Sequence, residues 1–559
     1  MTPSIASDGS RVGLRSGESA QIYVRDLDEF EARPIAGTQD ASNSLPPCFS
    51  PDGTWIAYTV ANSALKKSPI AGGAALTVAE GLDGADFCDW GEDGYIYFGT
   101  TPGIMRIAES GGPAEMLAAF DRESGESSYE LPQLLPGGTQ LLFSVLGGGG
   151  IASLDVAVLD LGTREKTIVL EGAGFTAFAP TGPGAARGHL VYGRNSAIFA
   201  APFDLRNLEA GPASPVLEGV MGIGPVAFAG ISDTGTLAYL AGGDVDLGAT
   251  LQWVDRSGAV TALPEPAHAY ADFELAPDGL RAAVSIFDLA TFTGDLWLYE
   301  LDGDRLTRLT FGGINLSPVW TPDGQRLIYF HATAASFQNG EVQFVPADNS
   351  APPVTLSEVQ GPPAFPASIS PDGTVLIGEL GANNSDIWTL PLDAAASTPS
   401  AAGGAMLEYL LDTEFNERDA VLSPDGRFLA YASNESGRDE VYVVPYPGPG
   451  GKTQVSTAGG RLPRWNRDGR ELFYASGAQL MAVDIETAPV FRRLTPKVLF
   501  EAPALIDLNA DIYDVAPDGT RFLMTALTDA GAGEELDLRI VVNWFEELRK
   551  LAPWPERDQ

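Results

Sequence analysis

Chemistry in this chain would have to come from very few nitrogen and sulfur groups and a great many carboxylates. Three histidines (His189, His268, His331) and two cysteines (Cys48, Cys88) stand among 74 acidic residues. Histidine can carry a proton or a metal near neutral pH. No two of these have metal-ligand spacing, and no cysteine pair suggests zinc. His189 and His331 abut or lie within apolar runs, which reads as packing, and His268 sits in a proline-rich stretch where solvation is expected. Asp244-Val245-Asp246-Leu247-Gly248 resembles the opening of a calcium loop but lacks the later Glu at loop spacing, so no cofactor is expected, calcium there being the one option weighed. A Gly-x-Ser-x-Gly elbow, a phosphate-binding Walker loop and the kinase set of His-Arg-Asp and Asp-Phe-Gly are all missing from the sequence.

The carboxylates that recur belong to a turn. Asp52-Gly53, Asp278-Gly279, Asp323-Gly324, Asp372-Gly373, Asp425-Gly426 and Asp518-Gly519 each follow a proline. Pro presets the first turn dihedral, Asp bonds its own turn backbone, and Gly takes the left-handed conformation that follows. Repetition in every copy marks a folding device, so these are structural turn residues, and no catalytic or cofactor-binding residue is assigned. Counting degenerate copies at Gly9, Gly94, Gly138, Gly188, Gly235 and Gly469, twelve glycines fall 41 to 53 residues apart. Four residues before nearly every one is a large apolar residue, and after it come runs such as Ile56-Ala57-Tyr58 and Leu429-Ala430-Tyr431. Runs that do not alternate with polar residues suit strands covered on both faces.

A repeat of this length is that of a propeller blade, a four-stranded sheet that needs neighbours on both faces. The expected fold is all-β: two tandem six-bladed β-propellers with a short C-terminal helix. Residues 1–264 would form the first ring and 265–559 the second, with Leu251-Gln252-Trp253-Val254-Asp255 completing the sixth blade and the join near Pro264-Glu265-Pro266. A division into seven plus five blades is the alternative. The helix, about 543–551, has Asn543 as cap and Glu546 three positions later, with Trp544, Phe545 and Leu548 expected to bury against the propeller. Cys48 and Cys88 fall in innermost strands of consecutive blades, one and two positions before Phe49 and Trp90. That parity places their side chains on opposite faces and argues against a disulfide.

A formal charge of −40 argues against nucleic acid or anionic membrane as partners. No apolar run is long enough for a membrane-spanning helix, and no signal segment opens the chain, which begins mid-fold as part of a longer protein would.

The Phe-Ser-Pro-Asp-Gly-x-x-Ile-Ala-Tyr pattern of residues 49–58 resembles the WD40-like repeats of TolB-type propellers. Phe30-Glu31-Ala32-Arg33-Pro34-Ile35-Ala36-Gly37-Thr38, Arg308-Leu309-Thr310-Phe311-Gly312-Gly313, Tyr431-Ala432-Ser433-Asn434-Glu435-Ser436-Gly437 and Val542-Asn543-Trp544-Phe545-Glu546-Glu547-Leu548 look like the tandem propeller region of bacterial eukaryotic-like serine/threonine kinases. The resemblance implies a periplasmic or extracytoplasmic, non-enzymatic sensor or scaffold attached to a signalling protein. Its partner would be a protein, peptide or small ligand held at a loop face or tunnel. Kinase activity does not carry over, since the kinase motifs have no counterpart. Two other readings remain: a lactonase- or lyase-like propeller enzyme with a metal in a central tunnel, and a stand-alone TolB-like docking protein.

Overall fold

The computed structural model describes the chain except for residues 1, 16–20, 42–45, 61–63, 83, 101, 122–123, 125, 127, 148–153, 183, 185, 244–247, 289–290, 292, 304, 334–339, 382–384, 393–405, 449, 488–489, 503–512, 528–536 and 555–559. The calcium-like Asp244–Gly248 segment falls mostly outside the described residues. Two compact units make up the chain. Unit 1 comprises Met1–Val245, Leu289–Phe292 and Glu534–Gln559, and unit 2 comprises Asp246–Asp288 and Thr293–Gly533.

Both units are built from small antiparallel meanders, for example Asp86–Trp90, Tyr95–Thr100, Gly103–Ala108 and Glu115–Ala119 in unit 1. Strands second in their sheet are buried on both faces, and Phe428–Ser433 is buried at every residue. Such strands form because neighbouring sheets pack face to face; Ala283, Leu296, Trp320 and Tyr329 come from two successive sheets and share one core. In unit 1 the first strands stand beside one another in the order Ser4–Ile5, Cys48–Phe49, Asp86–Trp90, Ser128–Leu134, Gly174–Ala179 and Ala229–Ile231, and the last returns to the first. In unit 2 the order is Tyr270–Leu275, Ile314–Trp320, Ala364–Ile369, Glu417–Leu422, Arg461–Trp465 and Tyr513–Val515, again returning to the first. This is β-propeller architecture.

The glycine-terminated bends share one geometry. The Gly N–H donates to the carbonyl three residues back, as in Gly53 to Ser50 and Gly519 to Ala516 at 2.8 Å, and each Gly sits at positive φ, 66° at Gly53 and 67° at Gly519. Gly188 departs from the expected set. It lies inside strand Arg187–Arg194, and the bend preceding that strand is turned by Gly184 at φ 82°. A longer connection there moves the left-handed position four residues upstream.

The assignment of two segments differs from the sequence expectation. Ala249–Asp255 does not complete a sheet of unit 1; it pairs along its whole length with Arg521–Leu527, beside Tyr513–Val515, in unit 2. The missing strand of unit 1 is Asp537–Val541, which pairs with Leu237–Ala241. The boundary therefore falls near residue 245 rather than 264, and the chain returns to unit 1 after residue 533. His268 is likewise no linker residue, since its N–H and C=O exchange hydrogen bonds with Ala249 at 3.0 and 2.8 Å. The physical reason is that an outer strand needs only an open sheet edge, which local sequence does not specify.

Helix Trp544–Leu551 follows that returning strand and packs on unit 1. Trp544, Phe545 and Leu548 are buried against Val191, Val220, Leu237 and Tyr239, each contributing on the order of 1.5–3 kcal/mol. Asn543 does not cap with its side chain. It adopts the left-handed conformation (φ 57°), and the Trp544 N–H donates instead to the Gly235 carbonyl at 2.8 Å. Gly235 must lack a Cβ because the Phe545 ring fills that space.

Candidate functional site

Side chains of the first strands use their polar atoms mainly to hold adjacent sheets together. The residue five positions before a turn glycine accepts the backbone N–H of the residue four positions before the next one. Asp89 takes Leu134 N–H at 2.7 Å, Glu274 takes Trp320 at 2.6 Å, Ser368 takes Leu422 at 3.1 Å and Asp514 takes Leu275 at 2.7 Å. Gln133 likewise accepts the Phe178 N–H at 2.7 Å, with Phe178 six positions before its bend glycine, Gly184. First strands of neighbouring sheets cannot form a ladder with each other, and these acceptors satisfy N–H groups that would otherwise be buried without partners.

Cys48 occupies that same position, five before Gly53, and it is disulfide-bonded to Cys88 of the next sheet, with Cα atoms 5.6 Å apart. The expectation of free thiols is thus overturned. Strand parity decides which face a side chain takes within one sheet, but the two cysteines lie in different sheets.

A second feature of the first strands is absent from the sequence reading. Leu131, Ser317, Asp419 and Leu462 all adopt positive φ, between 52° and 58°, each seven residues before a turn glycine and each at a register shift. Such bulges re-aim side chains and interrupt pairing. Leu131-Pro132, Ser317-Pro318 and Leu462-Pro463 carry a sequence signal, since proline cannot donate to a ladder.

Charge separates the two units. First strands of unit 2 hold five acids (Asp272, Glu274, Glu417, Asp419, Asp514) and three arginines (Arg418, Arg461, Arg464). Each of these acids accepts a hydrogen bond: Asp272 from Ser317 N–H at 2.8 Å, Asp419 from Leu462 N–H at 2.9 Å, Glu417 from the Thr413 hydroxyl at 2.6 Å, and Glu274 and Asp514 as above. First strands of unit 1 hold Asp86, Asp89 and Glu130 and no Lys, Arg or His. Burial lifts Asp86 well above the usual carboxylate range, with Glu130 adding repulsion. Burial also raises Glu130, against which the Ser128 hydroxyl works. Asp89 is pushed up to about 7, by burial first, with Asp233 and Asp93 adding to it and the Leu134 N–H opposing. All three residues nonetheless keep part of their surface open to solvent.

The turn aspartates behave differently. Asp52, Asp278, Asp323, Asp372, Asp425 and Asp518 each accept the N–H two residues on, at 2.9 to 3.1 Å. The Ser50 hydroxyl holds Asp52 below the ordinary value, and the Thr520 N–H does so for Asp518. These groups are committed to their own bends.

The histidines are likewise committed. His189 is fully buried, with Nε2 2.6 Å from the Ala552 carbonyl and Nδ1 2.5 Å from the Thr181 hydroxyl. A carbonyl only accepts, so Nε2 carries the proton and Thr181 donates to Nδ1. His331 Nδ1 meets Asn315 Oδ1 at 2.9 Å, and His268 Nε2 meets Glu265 at 3.2 Å, so His268 is paired and half-buried rather than solvated. Among the described residues no three His, Cys, Asp or Glu side chains form a metal-holding group, and no helix is long and apolar enough to cross a membrane.

No family model matches the chain, and no curated protein matches it. Solved structures similar to it include a putative TolB from Agrobacterium tumefaciens, 16% identical over 50% of this chain and 98% of that one, with a TM-score of 0.40. TolB from Acinetobacter baumannii is 13% identical over 63% and 80% of the two chains, with a TM-score of 0.31. An ancestral GH74 enzyme is 10% identical over 96% and 92%, with a TM-score of 0.35. The fold itself rests on the sheets described above.

Proposed function

We propose that this chain is a non-catalytic binding module, a sensor or scaffold built as two six-bladed rings. It would belong to the extracytoplasmic part of a signalling protein of the bacterial serine/threonine kinase kind. The observation that carries the reading is how the ionisable groups are used. The turn aspartates, the seam acceptors Asp89, Glu274 and Asp514, and His189 are tied to bends, seams and the helix dock, which suits rigid rings. The Cys48–Cys88 bond supports the location, since disulfides persist in oxidising compartments. Rigid rings present their connecting loops as the variable, ligand-facing surface.

Immobilised full-length chain exposed to an envelope extract tests this: a saturable protein or peptide ligand is expected. Turnover of a lactone or glycan substrate by the wild type, lost on changing Asp86 and Glu130, would instead establish the tunnel-metal enzyme.

A further inference from the structure

The closing sheet of unit 1 is one strand short. Its inner strand Ala229–Ile231 pairs with Leu237–Ala241, which pairs with Asp537–Val541, and among the described residues no strand pairs beyond that. Every other first strand belongs to a meander with a fourth strand outside the third. The closing sheet of unit 2 carries Val260–Ala262 there, on Ala249–Asp255. The ladder shows which groups are left open. Leu240 N–H donates to the Phe228 carbonyl at 3.0 Å, on the inner side. Backbone groups alternate sides along a strand, so Leu237, Tyr239 and Ala241 face the third strand, where they pair with Val541, Arg539 and Asp537. Leu538 and Ile540 therefore turn their N–H and C=O groups outward. Leu538, Ile540 and Val541 are also only half-buried. Third strands that carry a fourth bury Ile104, Ile107, Val156 and Val158 to 0–1% exposure.

We propose that this edge is a docking site for an extended segment of a partner protein, which adds antiparallel as the missing fourth strand and carries basic residues among alternating apolar ones. The proposal rests on the binding-module reading and says where one partner sits. A row of unpaired donors and acceptors is filled by another strand, since an extended backbone presents its own groups at that spacing. The molecule shows what such a strand looks like: Lys166–Leu170, Lys-Thr-Ile-Val-Leu, lies antiparallel on Leu154–Asp160. Basic character follows from charge. The chain carries −40. The edge opens at exposed Asp537, and the helix that follows it exposes Glu546 and Glu547, while Arg539, its one base, is paired with Asp537 at 2.8 Å. A second copy fits poorly. It brings the same charge, and the two-fold pairing that uses both outward residues sets Arg539 against Arg539.

The probe is a fluorescein-labelled peptide of the chain's own residues 164–172, Arg-Glu-Lys-Thr-Ile-Val-Leu-Glu-Gly, made basic by Glu165→Lys and Glu171→Lys. Full-length protein is titrated with it, following anisotropy, and hydrogen exchange of the 537–541 amides is measured with and without it. Saturable binding is expected, weakening with salt and about tenfold weaker for the unaltered peptide, with exchange at 537–541 slowed. A basic peptide that also carries Thr167→Pro and Ile168→Pro should not bind, since proline cannot donate to a ladder. In the protein, Ile540→Pro removes an outward N–H and leaves the bonds to Leu237–Ala241 in place. It should cut binding about tenfold or more while the unit 1 melting transition is retained. No saturable binding up to roughly 1 mM peptide overturns the proposal, as does binding that leaves exchange at 537–541 unchanged. Slow exchange there before peptide is added also overturns it: in a dimer by sedimentation it means a second copy on the edge, and in a monomer the chain's own residues. If the peptide fails while an envelope ligand is still captured, this site falls and the binding-module reading stands.

Discussion

The Asp514 carboxylate accepts the Leu275 backbone N–H at 2.7 Å across 239 residues of sequence. This bond joins the last first-strand of unit 2 to its first, so a contact that repeats between neighbouring sheets elsewhere here closes the circle. Asp514→Ala leaves that N–H without its acceptor, at a cost of about 1–3 kcal/mol, whereas Asp514→Asn keeps an acceptor and should lose less. Urea unfolding of the two variants checks the ordering.

The Cys48–Cys88 bond closes a loop of 40 residues of sequence separation. Chain-entropy arguments put its contribution at ~4 kcal/mol. Cys48→Ala paired with Cys88→Ala, or reduction under native conditions, should lower the unit 1 melting temperature, and thiol labelling before and after reduction confirms the pairing.

Asp89 should make stability fall as pH rises. Its folded-state value of about 7 lies above that of an unfolded carboxylate. The folded chain therefore binds the extra proton between about pH 4 and that value, and the contribution disappears across this window. Asp89→Asn retains an acceptor for Leu134 N–H without the charge. It should flatten the pH dependence and raise stability at pH 8 by on the order of 1–2 kcal/mol, as read from denaturant midpoints across pH.

His189 has the opposite sign. Burial holds it below the ordinary histidine value, aided by the Arg549 charge. The folded state thus resists protonation, and stability is lost as pH falls below about 6.5, where the unfolded chain takes up the proton. Arg549 Nε donates at 2.6 Å to the carbonyl of Thr181, the residue whose hydroxyl bonds the ring. Acidification should increase hydrogen exchange in helix 544–551 first, and His189→Gln should reduce that response.

Deleting residues 534–559 removes strand Asp537–Val541 and the helix from unit 1. Tyr239, Leu237 and Val220 lose their cover, and the unit 1 transition should vanish from calorimetry while that of unit 2 survives. A fragment spanning 246–533 should fold alone, whereas 1–264 should not, because it lacks one strand and carries another that belongs elsewhere.

Part of the site was readable early. Asp89 could have been found as the acid five positions before Gly94, had the same offset been compared at Glu274 and Asp514. Leu-Pro and Ser-Pro seven positions before a bend mark three of the four first-strand bulges, but Asp419-Ala420 has no such mark. Nothing in the local sequence signals that Asp86 meets Tyr129 or that Ser144 goes unpaired, because those relations depend on how two sheets are set against each other.

The sequence by itself determined the bends, the apolar strands and hence the propeller, since left-handed glycine, turn-bonded aspartate and doubly buried runs are preferences of a few adjacent residues. Tertiary structure alone decided which sheet receives Ala249–Asp255 and Asp537–Val541, that Cys48 reaches Cys88, and that the unit 1 carboxylates stand uncompensated. Any open edge can accept an outer strand, and only the closed rings determine which edge is open and which charges become neighbours.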